Sequence, residues 1–189
     1  MKKIALSVAH SRLKQSIISG YSEYFLSLSI CNYMFDVLQK EYQVAIFDKS
    51  IFEKSRTYNH ALMKNIDNIN KFSPDICVEP HFNAAKLSGD YSLVLHSSSK
   101  MSIELAEKVS AEFSIVIPVD RNLLADAADP RYSGDAFIYK TLSPAIITEP
   151  IFLDNKKHAL WLDTQGNLNK ISMCIIRGIN NFFEKWKGH

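Results

Sequence analysis

The stretch Asp75-Ile76-Cys77-Val78-Glu79-Pro80-His81-Phe82-Asn83-Ala84 decides the fold. Ser73-Pro74-Asp75 breaks the helical pattern in front of it. Ile76 to Glu79 then reads as a short buried strand, with His81 just past its carboxyl end. Two other stretches have the same design. Ile4-Ala5-Leu6-Ser7-Val8-Ala9 runs into His10, and Ala145-Ile146-Ile147-Thr148 runs into Glu149-Pro150. Continuous apolar runs of this kind mark strands covered on both faces, as in a parallel sheet. In open α/β sheets, binding and catalytic sites collect at the carboxyl ends of the strands. His10, His81 and Glu149 all fall there.

Working outward, helical and extended patterns alternate. Residues 3–9 read as the first strand. From Tyr21 to about Lys40, Tyr24, Leu28, Cys31, Phe35 and Leu38 recur at helical spacing. Gln43 to Phe47 is a second strand, ended by Asp48-Lys49-Ser50. Arg56 to Asn70 is a helix with Leu62, Ile66 and Ile69 inward. Tyr91 to Leu95 is a further strand. Ser99 caps a helix carrying Met101, Leu105, Val109 and Phe113. Ser114 to Ile117 reads as a short strand, and residues 118–143 as irregular chain rich in Asp, Pro and Gly. A closing helix from about Asn167 to Lys187 buries Ile171, Ile175, Ile179, Phe182 and Trp186. The pattern predicts a single α/β domain over residues 1–189, with a mostly parallel twisted sheet and helices on both faces.

Bulk composition narrows the function classes. The 189 residues are 47% hydrophobic and 22% charged, ordinary values for a globular chain that buries a core of its own. A net charge of +2 without a basic stripe argues against nucleic acid as a partner. Cys31, Cys77 and Cys174 show no paired spacing, which favours a reduced compartment over a disulfide framework. Met1-Lys2-Lys3 resembles the basic start of a signal peptide, but the following apolar run stops at His10, too short for export. No stretch approaches a membrane span. The expectation is a protein cytoplasmic as synthesised, without stable membrane insertion.

Two His and a carboxylate at strand or helix edges form the ligand set of a catalytic zinc site, and a further Glu would handle a proton. Taken singly, His10 and His81 each read as a structural His in a turn. Glu23, opening a helix, is favoured there by the helix dipole without any function. Glu149 interrupts a buried apolar run, where a charge is costly unless it is paired or near a metal. A salt bridge to a Lys or Arg is the alternative.

Together these residues resemble the zinc-dependent N-acetylmuramoyl-L-alanine amidases (amidase type 3), including short phage and prophage endolysins. The matching pieces are Val8-Ala9-His10-Ser11, Tyr21-Ser22-Glu23, His81-Phe82-Asn83-Ala84 and Thr148-Glu149-Pro150-Ile151-Phe152-Leu153-Asp154-Asn155. The last is the most specific, and the resemblance spans about residues 3–187. It implies a phosphorylase/hydrolase-like fold with Zn2+ held by His10, Glu23 and His81, and Glu149 as the catalytic acid/base. Ala9 and Ser11 stand where members usually have glycines. Glu79 stands where a small polar residue is usual. That extra carboxylate either orients His81 from behind or alters the chemistry.

The reaction so implied is hydrolysis of the amide between N-acetylmuramic acid and L-alanine, with peptidoglycan or a muropeptide as substrate. The segment from Asp120 to Tyr139 is expected to line the substrate groove, with Arg131 and Asn83 as substrate-binding residues. Arg131 suits a peptide carboxylate, and Arg56 resembles a position often basic in the family. His60, His96 and His158 read as structural or exposed. Two other functions stay open: a zinc amidohydrolase or carboxypeptidase acting on a small amide or peptide, and a non-catalytic peptidoglycan-binding relative. No separate wall-binding domain is expected, and action on the wall would follow release from the cytoplasm.

Overall fold

The computed structural model describes residues 1–52, 57–84, 89–128 and 135–186. In chain order, β1 (Lys3–Ser7) leads to a hairpin of β2 (Ile17–Ile18) and β3 (Tyr21–Ser22), and then to α1 (Glu23–Leu38). Next come β4 (Gln43–Phe47), a 3-10 turn (Lys49–Phe52), α2 (Tyr58–Phe72), β5 (Ile76–Pro80) and β6 (Tyr91–His96). The chain continues with α3 (Lys100–Val116), β7 (Arg121–Asp126), α4 (Asp135–Lys140), β8 (Ala145–Glu149), α5 (Lys156–Leu162) and α6 (Asn167–Trp186).

Six strands form one sheet in the order β4-β1-β5-β8-β6-β7. The pairs β4–β1, β1–β5, β5–β8 and β6–β7 are parallel, and among the described residues of this sheet only β6–β8 is antiparallel. The mostly parallel sheet with helices on both faces is therefore observed.

Strand periodicity sorts side chains between two cores. Ile4, Leu6, Ile76, Val78 and Ile146 join Met34, Phe113, Ile175 and Phe182 on the side of α1, α3 and α6. Ala5, Cys77, Ala145 and Ile147 point the other way, with Ile69, Phe137 and Ile138 from α2 and α4. Ser7, Glu79 and Glu149 continue this second row at the carboxyl ends of their strands. α6 packs against α3 at Gly178, where a Cβ would stand 2.7 Å from the Cα of Val109. All three cysteines are buried and free. Among the described residues, no helix is long and apolar enough to cross a membrane.

Two expectations are corrected. Ser114 to Val116 is the last turn of α3 rather than a strand. The β-branched residues Ile115 and Val116 favour strands, but the buried stripe Leu105-Val109-Phe113 carries the helix onward against α6. Residues 118–143 are also not all irregular. Arg121–Asp126 pairs along its length with β6, and Asp135–Lys140 is helical. Leu123 and Ala125 alternate inward in β7. Its charged ends, natural on an edge strand, disguise that alternation in the sequence. β1 also stops at Ser7, and α1 centres its buried face on Ile30 and Met34.

Candidate metal and proton-transfer site

The site is built around Glu23. Ser22 caps α1, its hydroxyl accepting from the Phe25 amide, and the amides of Glu23 and Tyr24 donate to Ser16 and Gln15 carbonyls beside the hairpin. The first-turn donors are thus satisfied, and Glu23 is buried as the first helical residue. Its Oε2 lies 2.8 Å from His10 Nε2, and its Oε1 lies 2.8 Å from His81 Nδ1 and 3.0 Å from the Phe82 amide. The two imidazoles meet edge to face, with centroids 5.1 Å apart.

His10 reaches this position through a left-handed backbone with φ 59°. Such a conformation costs a non-glycine residue about 1 kcal/mol. The flanks offset it. The Ala9 amide donates to Ser27 Oγ and the Arg12 amide to Ser50 Oγ, and Ser11 closes a turn with Lys14. His81 continues β5, its amide donating to the Thr148 carbonyl at 2.7 Å.

Donor atoms of His10, Glu23 and His81 all lie within 4.8 Å of one another. Two imidazole nitrogens and a carboxylate oxygen suit zinc. The second ring nitrogen of His81 already has a partner: Nε2 donates to Glu79 Oε1 at 2.8 Å. This leaves Nδ1 facing the cluster, the arrangement usual behind a ligating His. The donor set fits a divalent transition metal.

Glu149 closes β8 on the same rim. Asn83 Nδ2 donates to its Oε2 at 2.6 Å. Asn83 is fixed in turn by its amide on the Ile151 carbonyl and by the Leu153 amide on its own carbonyl. A cleft of about 410 Å³ joins the cluster to Glu149, with Tyr58, Leu62, Phe82, Ala136 and Phe137 among its walls.

The charges interact strongly. Burial alone would raise the Glu23 carboxyl, but hydrogen bonds from His10 and His81 outweigh it and hold the group below the usual carboxylate range. Burial opposes a charge on His81, yet its bonds to Glu23 and Glu79 push it up to about 10. Burial raises Glu149 to about 7, with Glu23 adding to the rise and His81 and Asn83 opposing it. A carboxyl that titrates near neutrality is suited to taking and returning a proton.

Thus His10, Glu23, His81, Glu79, Asn83 and Glu149 come together. Arg131, Arg56 and Asp129 lie outside the described residues. Of the segment expected to line the groove, Ala136 and Phe137 do so. Arg121 lies on β7 at the sheet edge, its guanidinium 5.4 Å from the Tyr91 ring centre. His158 is buried and structural: its Nδ1 accepts from the Phe152 amide, and its Nε2 donates to Asp90. Sequence reasoning missed Tyr58 and Lys49. The strand-end rule that singles out His10 and His81 applies equally to Lys49, which follows β4, but a lysine there reads as a solvated turn residue.

Comparison with known proteins agrees with this fold. The catalytic domain of the CD27L endolysin targeting Clostridia difficile superposes with a TM-score of 0.76, at 24% identity over 96% of this chain and 98% of that one. The CwlD amidase of Clostridioides difficile, solved with the GerS lipoprotein, gives a TM-score of 0.82 at 19% identity, over 97% and 99%. The N-acetylmuramoyl-L-alanine amidase AmiC2 of Nostoc punctiforme gives 0.76 at 16% identity, over 97% of each chain. Among curated proteins there is no match. Residues 4–181 match the family model described as N-acetylmuramoyl-L-alanine amidase. With that match spanning nearly the whole sequence, the chain belongs to the N-acetylmuramoyl-L-alanine amidase family.

Proposed function

We propose that this peptidoglycan amidase is a zinc hydrolase that cleaves the amide joining N-acetylmuramic acid to L-alanine. In this reading His10, Glu23 and His81 hold the ion and Glu149 moves the proton. The observation that carries it is the Glu23 carboxylate set between the two imidazoles, 2.8 Å from each. A bound zinc ion would supply a Lewis acid for the scissile carbonyl and lower the pKa of water to about 7. Glu149 takes the proton from the attacking water and returns it to the leaving amine of L-alanine. Asn83 holds the Glu149 carboxylate in orientation. Glu79 fixes the ring of His81 from behind. Tyr58 and Phe137 wall the cleft in which the substrate lies, and Arg131 meets a carboxylate of the stem peptide. In this reading the enzyme acts on the wall after release from the cell interior.

The test is digestion of purified peptidoglycan with and without a chelator, with products read by mass spectrometry. Free stem peptides beginning at L-alanine, abolished by chelator and restored by zinc, are expected. Unchanged peptidoglycan from a zinc-loaded protein would overturn the substrate assignment.

A further inference from the structure

We infer that Lys49 is a positioning residue for the metal site, acting on His81 through Glu79. The inference rests on the zinc reading above and extends it to a side chain outside the cluster. Lys49 is wholly buried, a rare state for the most strongly hydrated cationic side chain. Its ammonium lies 2.7 Å from Glu79 Oε2, 2.6 Å from the Val8 carbonyl and 3.4 Å from Ser7 Oγ. Three partners around one ammonium account for its three donors.

Glu79 divides its two oxygens. Oε2 takes Lys49 and the Ser7 hydroxyl, while Oε1 takes His81 Nε2. A carboxylate gripped at one oxygen by a fixed cation cannot swing, so the other oxygen is held in line with the imidazole. Register contributes as well. Glu79 and His81 are two residues apart, on the same face of the extended chain. Lys49 is anchored to Val8, which also precedes His10 by two residues. The 3-10 turn after β4 thereby braces the strand ends that carry both imidazoles. A small polar residue in place of Glu79 would leave Lys49 as an unpaired buried cation, so the two positions form a unit.

A purely structural ion pair predicts a different result from a positioning pair, and zinc affinity separates them. Four proteins are compared: wild type, Lys49→Met, Glu79→Gln and the double variant. Zinc affinity is measured by chelator competition, the ligand field by the visible absorption of the cobalt(II) forms, and the metal-free fold by circular dichroism. Lys49→Met is expected to fold, to bind zinc about 10- to 100-fold more weakly, and to shift the cobalt bands. Once Glu79 is Gln, removing Lys49 as well is expected to change zinc affinity by less than about threefold. A Lys49→Met protein that melts earlier yet keeps wild-type affinity and cobalt bands would overturn the inference. If Lys49→Met does not fold, the pair Glu79→Gln and Lys49→Met/Glu79→Gln decides it, because neither isolates a buried carboxylate and the Gln amide oxygen still accepts from the Lys49 ammonium. Equal affinities in that pair, both about 10- to 100-fold below wild type, support the inference, and wild-type affinity in both or a further tenfold loss in the double variant overturns it. Wild-type protein that binds neither metal would overturn the zinc reading itself.

Discussion

Asn83 and Glu149 are joined by a 2.6 Å hydrogen bond, from an amide pinned by its own backbone to a carboxyl pinned at a strand end. The pairing ties the loop after β5 to the loop after β8. Asn83→Ala is expected to retain zinc and to lower kcat roughly 10- to 100-fold, the loss of one hydrogen bond to a charged group. Glu149→Ala is expected to retain zinc and to lose at least about 100-fold in turnover, the usual share of a positioned acid/base. Elemental analysis beside a peptidoglycan assay checks both. Undiminished activity in Glu149→Ala would sink the role given to that residue.

His10→Ala and His81→Ala are expected to lose the metal, since each removes one of three donors. Stoichiometric zinc in either, by elemental analysis, would refute its place in the ligand set. The same cluster makes binding depend on pH. His81 without metal keeps its proton up to about pH 10, so a metal must displace that proton across the whole neutral range. Apparent zinc affinity should therefore rise about tenfold per pH unit for each proton displaced. Chelator competition at pH 6 and pH 8 measures the slope, and a flat profile would contradict it.

Glu149 weakens the metal-free fold in order to be ready for a proton. Its carboxyl moves from 4.5 to about 7 on folding, chiefly through burial. Below about pH 4.5 it is protonated in both folded and unfolded states and contributes nothing. As pH rises toward 7 the folded chain holds a proton that the unfolded chain has released, so stability falls. Above pH 7 the cost is fully present. Glu149→Gln mimics the neutral form and should stabilise the metal-free protein at pH 8 by up to about 3 kcal/mol. At pH 4 it should change nothing. Denaturant unfolding at the two pH values checks the difference.

Gly178 fixes how closely α6 approaches α3. Exchange for Ala would gain about 1 kcal/mol in helix propensity. The added methyl, however, meets the Val109 backbone at 2.7–2.9 Å, and overpacking of this kind costs about 1–3 kcal/mol. Because backbone rather than a flexible side-chain tip stands in the way, the clash should win. Gly178→Ala is expected to lower the melting temperature, while zinc binding by the folded protein is unchanged. A raised melting temperature would show that the two helices separate at little cost.

The sequence carried the parallel half of the sheet and the principal site residues clearly, because buried parallel strands are uninterrupted apolar runs and a charged or imidazole side chain ends each run visibly. His10, His81 and Glu149 stand out on that ground. Glu23 does not: an acid at a helix start is ordinary, and only the fold shows it buried between two imidazoles. β7 escaped because an edge strand needs only one inward row, here Leu123 and Ala125, between charged ends. The end of α3 escaped because its β-branched residues contradict a helix that long-range packing on α6 maintains. Lys49 escaped for a related reason. Nothing local distinguishes a buried ammonium from a solvated one, and its partner Glu79 is 30 residues away.

The antiparallel join between β8 and β6 divides the rim of the cleft by origin. β4, β1, β5 and β8 bring their carboxyl ends there, and with them Lys49, His10, His81 and Glu149. β6 runs the other way, so chain arriving at its start reaches the same rim. Gly89 and Asp90, just before β6, are tied to Asn155, Lys157 and His158 beyond Glu149. His81 and Asn83 just after β5, and Gly89 and Asp90 just before β6, thus hold the two ends of one connection on the rim, each end tied to chain at or beyond Glu149.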